Sequence, residues 1–352
     1  MPTPRIEIDL TKISHNARAL KDLFGAKGID VVGVTKVVCG SPVIAQTLLD
    51  SGLTILADSR TANLDRMRDA GVEAQFLLLR TPTLSQAEAA VLCADISLNS
   101  EISVVRRLSR FAVAHHLRHK IILMVELGDL REGLMPADLA SIVEELRDLE
   151  GIELAGIGTN LACLGGISPD HENMGGLSAI AGDLERRFGL TFEFVSGGNS
   201  ASLAWLMSAT NVGRVNSVRL GEAIYLGRET LHREPIPGLF TDAFTLIGEV
   251  IESKTKPSLP YGQVGQDAFG TTPAFRDQGP MRRAILAIGL QDVLVSGLTP
   301  RIDVEVLGAS SDHIVVNARE QGLQVGDEVA FDLSYGALLP AMTSPYVAKE
   351  YR

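Results

Sequence analysis

At 352 residues the chain is long for a single small core and suits two domains of ordinary size. Hydrophobic residues make up 45% of it and charged residues 21%, the balance of a folded chain rather than a disordered one. The net charge of −11 repels phosphate backbones and sets nucleic-acid binding aside. The opening residues, Met1 to Leu10, hold no apolar core of leader length. No stretch reaches the roughly 18 uninterrupted apolar residues of a membrane span, so a soluble cytoplasmic enzyme is expected. Cys39, Cys93 and Cys163 lie far apart without a CxxC pair, which argues against a disulfide framework and a cysteine-rich metal site. No metal is expected.

From about Ile29 to Gly227 short apolar runs alternate with helical segments. The predicted strands are Val31–Thr35, Thr54–Ala57, Gln75–Leu79, Asp95–Leu98, Ile121–Glu126, Leu154–Thr159, Thr191–Val195 and Ser217–Leu220. The predicted helices include Pro42–Ser51, Thr61–Ala70, Ser100–His115, Pro136–Leu149, Glu172–Phe188 and Ser200–Met207. Leu139, Ile142, Val143 and Leu146 share one helix face by their spacing. Many strands are continuous Val/Ile/Leu runs, as in a parallel sheet buried on both faces. Eight strand–helix alternations in this length predict an α/β fold, a (β/α)8 TIM-type barrel, over 10–235.

Beyond Glu234-Pro235-Ile236-Pro237-Gly238 the strand-like runs are separated by Gly, Pro and Asp turns, with no long amphipathic helix. A C-terminal all-β domain is predicted over 236–352, joined by the strand-like residues 1–9.

Three features carry chemistry. Lys36 ends the first apolar strand, where a barrel opens its active-site mouth, and desolvation there lowers an amine's pKa and frees it for imine chemistry. By itself it reads more readily as a solvated loop lysine, and the chemical reading needs the company of other residues. Ser196-Gly197-Gly198-Asn199-Ser200-Ala201-Ser202 follows strand seven and opens a helix, which suits either a phosphate or a simple Gly-rich turn with a Ser cap. Arg219 lies inside the eighth apolar strand and requires an acceptor, whether a ligand atom or an internal partner. After strand five, Arg131 presents a fork for a carboxylate, of the substrate or of its own loop.

At these residues the chain resembles the alanine racemase family, the fold type III pyridoxal-phosphate enzymes, and most of all its ornithine and lysine racemase branch. The resemblance runs through Val34-Thr35-Lys36, Gly128 to Gly133, Gly158-Thr159-Asn160-Leu161-Ala162, Gly198-Asn199-Ser200-Ala201 and Val218-Arg219-Leu220-Gly221 through Tyr225. It continues in Pro260-Tyr261-Gly262, Asp267-Ala268-Phe269-Gly270, Ser334-Tyr335-Gly336 and Ser344-Pro345-Tyr346-Val347.

The resemblance implies an amino-acid racemase that uses pyridoxal 5'-phosphate and acts by two-base proton transfer at Cα. Lys36 is then the lysine that holds the cofactor and one of the two bases. Ser200 and the backbone N–H of Gly221 bind the phosphate, Arg219 faces the pyridine nitrogen, and Asn160 and Tyr225 complete the cofactor site. Tyr261 is the opposite base, brought by the second subunit of a homodimer. Tyr346 and Arg131 stand by the substrate.

The departures from the family pattern are equally specific. Lys36-Val37-Val38-Cys39-Gly40-Ser41 lacks the phosphate-binding tyrosine that usually follows the lysine, leaving Ser41 or a backbone group to replace it. Asn160 stands where many members have histidine, and Met124 where some have a modified lysine. A basic or broad-range substrate is expected from the branch and from the acidic residues Asp267, Asp292 and Asp312, any of which suits an ω-ammonium. Alanine racemisation and fold type III decarboxylation are the alternatives. A single-domain cofactor-binding protein of the superfamily lacks the β domain. A zinc-assisted enzyme of this fold needs a C-terminal His/Cys pair, where this chain has only His313.

Overall fold

The computed structural model describes residues 2–266, 270, 272, 274 and 276–352. It falls into two compact units, Thr11–Thr241 and Met1–Leu10 with Asp242–Arg352. Among the described residues no helix is long and apolar enough to cross a membrane.

The chain begins with strand β1 (Arg5–Ile8) and helix α1 (Leu10–Gly25), which buries Ile13, Ala17, Leu20 and Phe24 along one face. Eight parallel strands then close into a barrel: β2 (Asp30–Val34), β3 (Ile55–Asp58), β4 (Gln75–Leu78), β5 (Ile96–Asn99), β6 (His119–Met124), β7 (Ile152–Gly158), β8 (Phe194–Ser196) and β9 (Ser217–Leu220). These are the eight strands the apolar runs predict. Closure comes from the first and last, with Val31 opposite Val218 and Val32 opposite Arg219. Val32, Val34, Ala57, Leu77, Ile96, Leu98, Ile122, Met124, Ala155 and Phe194 fill a common buried cluster. Gly156 is required where β7 meets β8, because a Cβ there would fall 2.0 Å from the Phe194 carbonyl oxygen.

The connecting helices are α2 (Pro42–Asp50), α3 (Thr61–Asp69), α4 (Ala87–Cys93), α5 (Ile102–Ala114), α6 (Leu139–Leu146), α7 (His171–Phe188), α8 (Leu203–Ser208) and α9 (Glu222–Leu226). In α6 the predicted stripe faces inward, with Leu139, Val143 and Leu146 buried. Asp170 and Asn173 form a reciprocal capping box on α7, and Gly189 ends that helix in the left-handed conformation that suits glycine.

The second unit is a β domain of strands β10 (Phe244–Pro257), β11 (Pro280–Leu286), β12 (Leu298–Pro300), β13 (Glu305–Ala309), β14 (Ile314–Asn317), β15 (Glu328–Leu333) and β16 (Ala348–Tyr351), with β1. Its ladders are antiparallel except where β1 runs parallel to β16. Arg5 clamps this arrangement through a bidentate pair with Glu328 (2.6 and 2.8 Å) and a bond to Glu7. One short helix, α10 (Tyr335–Thr343), interrupts the strands; Ser334 caps it through the Ala337 N–H. It lacks an amphipathic stripe and contains Pro340, so periodicity does not reveal it.

Between β5 and β6, His119 is 1% exposed and its Nε2 lies 2.8 Å from Ser97 Oγ, which also accepts from Asn99 Nδ2. Burial pushes the imidazole down to about 4 from its ordinary value of 6.5. The folded chain therefore keeps His119 neutral while the unfolded chain protonates it below pH 6.5. Its contribution to stability is complete above that pH and is lost as the pH falls toward 4, by about 3 kcal/mol in all. Urea unfolding at pH 7.5, 5.5 and 4.5 tests this, and a His119→Gln variant is expected to lose less stability on acidification than the wild type.

Candidate active site

The C-terminal ends of the barrel strands share one rim, and the chemistry-bearing residues sit there. Strand β2 passes through buried Thr35 to Lys36, which opens a single 3-10 turn, Lys36–Val38. Cys39 (φ 55°) and Gly40 (φ 57°) then turn the chain sharply toward α2. Lys36 keeps an exposed surface, yet the protein around its amine desolvates it. That desolvation lowers its pKa; Cys163 and Asp58 act in the opposite direction, while the positive charges of Arg131 and Arg219 lower it further.

Arg219 on β9 is 4% exposed. Its guanidinium donates to Ser196 Oγ, to the Thr159 carbonyl (2.9 Å) and to Asn160 Oδ1 (3.4 Å). All three acceptors are neutral, and no carboxylate pairs with it among the described residues. Burial lowers its pKa to about 10, which leaves it charged at neutral pH. A buried cation answered only by neutral oxygens retains a demand for a further acceptor.

Asn160, just beyond β7, is oriented by what it accepts. Its Oδ1 takes bonds from Asn199 Nδ2 (3.1 Å) and Arg219, so its Nδ2 is left as a buried donor without a partner among the described residues. Asn199 caps the following 3-10 turn by accepting from the Ala201 N–H (2.7 Å) and also donates to the Leu161 carbonyl. Ser200 follows, buried, with its Oγ 3.3 Å from the Ala223 N–H. Gly221 precedes α9 and presses against β2: a Cβ there would meet Val34 Cβ at 3.3 Å. Tyr225 is fully buried within α9. Ser41, the suggested replacement for the missing tyrosine, is buried at the start of α2.

The loop after β6 supplies Arg131. Glu126 folds this loop by accepting from the Gly128 and Leu130 N–H groups. Asp129 ties it to the loop after β7 through the Cys163 and Leu164 N–H groups. Burial pushes the Asp129 carboxyl upward, but these backbone donors outweigh it and hold its pKa low. Arg131 pairs with Glu132 and places Nη1 2.8 Å from Cys163 Sγ.

Lys36, Arg131, Asn160, Ser200, Arg219, Gly221 and Tyr225 thus belong to one unit and lie on or after its barrel strands. Tyr261, Tyr346 and Asp312 belong to the β unit. Tyr261 is 93% exposed and Tyr346 70% exposed. Asp312 lies on an exposed turn with His313 Nδ1 at 2.8 Å. Asp292 corrects an expectation: it is buried and accepts from Ser344 Oγ (2.7 Å), so it braces the segment before Tyr346 and is not open to a substrate ammonium. Asp267 lies outside the described residues.

A match to the family model for the alanine racemase N-terminal domain covers residues 8–229. The chain belongs to the alanine racemase family. Among relatives of this racemase, the ornithine racemase of Acetoanaerobium sticklandii is 41% identical over 351 residues, covering 99% of each chain. The lysine racemase of Thermotoga maritima is 42% identical over 354 residues, covering 100% of this chain and 99% of its own. In structure the racemase is similar to the alanine racemase of Bacillus anthracis with bound L-Ala-P, at a TM-score of 0.77 and 17% identity, covering 100% of this chain and 96% of that one.

Two residues of this rim have roles that motif reasoning does not assign. Asp58 ends β3, one residue past the predicted strand, and accepts from Thr35 beside Lys36. Asn199 stands inside a recognised motif, but its capping and bridging role appears only in three dimensions. Replacing Asn199 with Ala removes a cap and two further bonds. Urea unfolding is expected to register a loss of about 1–3 kcal/mol.

Proposed function

We propose that this amino-acid racemase interconverts the enantiomers of ornithine, lysine or a broader set of amino acids, with pyridoxal 5'-phosphate held at the barrel rim. The observation that carries the reading is the convergence of a desolvated amine, Lys36, with a buried guanidinium, Arg219, that has only neutral oxygens as partners. The donor set suits that cofactor. Lys36 would hold it covalently, Ser200 and the Gly221 N–H would bind its phosphate, and Arg219 would face the ring nitrogen. Asn160 Nδ2, buried and unpartnered among the described residues, is a further donor for it, and Tyr225 completes the pocket wall. When bound, the cofactor supplies an electron sink for the pair left on the substrate Cα.

Racemisation takes a proton from one face of Cα and returns one to the other, so it needs two bases. Lys36 Nζ serves one face; its lowered pKa leaves more of the amine unprotonated near neutrality. Tyr261 Oη serves the other, contributed by the second subunit of a homodimer. Its 93% exposure supports a role in meeting another surface. Arg219 stays cationic and keeps a proton off the atom it faces, which restrains side reactions. Arg131 supports the substrate carboxylate and Tyr346 Oη stands near it, while Asp312 offers a carboxylate to an ω-ammonium. The substrate class draws its support from the full-length similarity to ornithine and lysine racemases. Three cysteines free of disulfides are compatible with a reducing cytoplasm.

Racemisation rates for both enantiomers of ornithine, lysine, arginine, alanine and serine test the substrate, and a preference for alanine would overturn it. Lys36→Ala is expected to cut racemisation on the order of 10³-fold or more and to abolish borohydride labelling at that position. Tyr261→Phe is expected to lower kcat on the order of 10²-fold. In sedimentation runs across a dilution series, activity is expected to fall together with the dimer; an active monomer would remove the shared-site arrangement.

A further inference from the structure

Asp58 is a carboxylate with 0% exposure at the end of a barrel strand, and no cation pairs with it among the described residues. Burial raises its pKa against the pull of its hydrogen-bond donors. An apolar side chain would cost less there, so the carboxylate calls for a specific reason.

Its partners supply one. Asp58 Oδ2 accepts from Thr35 Oγ1 (2.8 Å), and Oδ1 accepts from Asn63 Nδ2 (2.9 Å) and the Arg60 N–H (3.0 Å). Thr35 immediately precedes Lys36 and is itself fully buried. Its N–H donates to the Ala57 carbonyl (2.8 Å), and its own carbonyl receives the N–H groups of Val38 (3.1 Å) and Gly40 (3.2 Å). The whole turn that carries Lys36 therefore hangs on Thr35. The far side of the turn rests on Asn63, which Asp58 also orients: a Cβ at Gly40 would lie 2.7 Å from Asn63 Cβ. Arg66, one helical turn on, donates to the Cys39 carbonyl and to Asn63 Oδ1 (3.2 Å).

We propose that Asp58 is a positioning residue for Lys36, fixing the Lys36–Ser41 turn through Thr35 at its start and Asn63 beneath Gly40. Asp58 touches no reacting atom; it acts on where the amine stands. The proposal rests on the reading of Lys36 as the cofactor lysine.

The test uses the full chain with three substitutions. Thr35→Val keeps the shape and removes the hydroxyl, Thr35→Ser keeps the hydroxyl, and Asp58→Asn keeps the shape and removes the charge. For Thr35→Val, the dissociation constant for pyridoxal phosphate is expected to rise about tenfold, the equivalent of one hydrogen bond to a carboxylate. Borohydride labelling of Lys36 at fixed cofactor concentration is expected to fall in step. With L-ornithine, kcat is expected to drop about tenfold and KM to stay within about threefold. Thr35→Ser restores wild-type values, and Asp58→Asn follows Thr35→Val, serving in its place if the valine variant does not fold. The proposal is overturned if Thr35→Val or Asp58→Asn matches the wild type in affinity and labelling. Equal damage from Thr35→Ser and Thr35→Val overturns it too, because shape rather than the hydroxyl would then matter. Wild-type chain that borohydride leaves unlabelled at Lys36 sinks the underlying reading instead; labelled wild type with unaltered variants sinks only this proposal.

Discussion

The pairing of β2 with β9 is the constraint on which the site depends. These strands are far apart in sequence, and only barrel closure brings them side by side in parallel register, Val32 against Arg219 and Gly33 against Leu220. Because both run in the same direction, whatever follows each strand emerges at the same rim. Lys36 and the turn at Gly221 leave the barrel from paired strands for that reason, and the lack of a side chain at Gly221 lets it lie against Val34. The guanidinium of Arg219 lies within the barrel wall itself, where burial strips away its water.

Charge is distributed around this rim so that few cations are neutralised directly. Lys36 is influenced by two arginines and two groups of opposite tendency, and its net shift is downward because desolvation dominates. Arg131 has an acidic partner beside it, Glu132, as Arg233 has Glu222, and the Arg131 loop is fixed by the backbone bonds of Glu126 and Asp129. Neutral acceptors around Arg219 hold its orientation without cancelling its charge. Such a site is costly to the folded chain but leaves electrostatic influence available for a bound molecule.

Much of this was legible in the residues. Short apolar runs, many of them continuous Val/Ile/Leu, marked the eight barrel strands, because strands buried on both faces are largely apolar. Lys36, Ser200 and Arg219 stood out as polar groups at the ends of, or inside, those runs. What stayed hidden depended on contacts between distant positions. Asp58 looked like the first residue of a loop after Thr54–Ala57, yet it is the last of β3, and its bond to Thr35 crosses between neighbouring strands. Asp292 was expected to suit an ω-ammonium, whereas its burial and its bond to Ser344 come from packing that no local pattern encodes. Helix α10 was masked by Pro340 and by apolar residues that follow no helical stripe.

The place of β1 has a consequence for how the molecule is made. Strand β1 pairs with β10 and with β16, both of which follow the whole barrel in the chain. The barrel strands are all translated in the interval, so their unit has the opportunity to condense while β1 still waits for its neighbours. Assembly of the β unit therefore waits until β16 has been made. A strand made before the barrel thus closes a sheet whose other members are made after it.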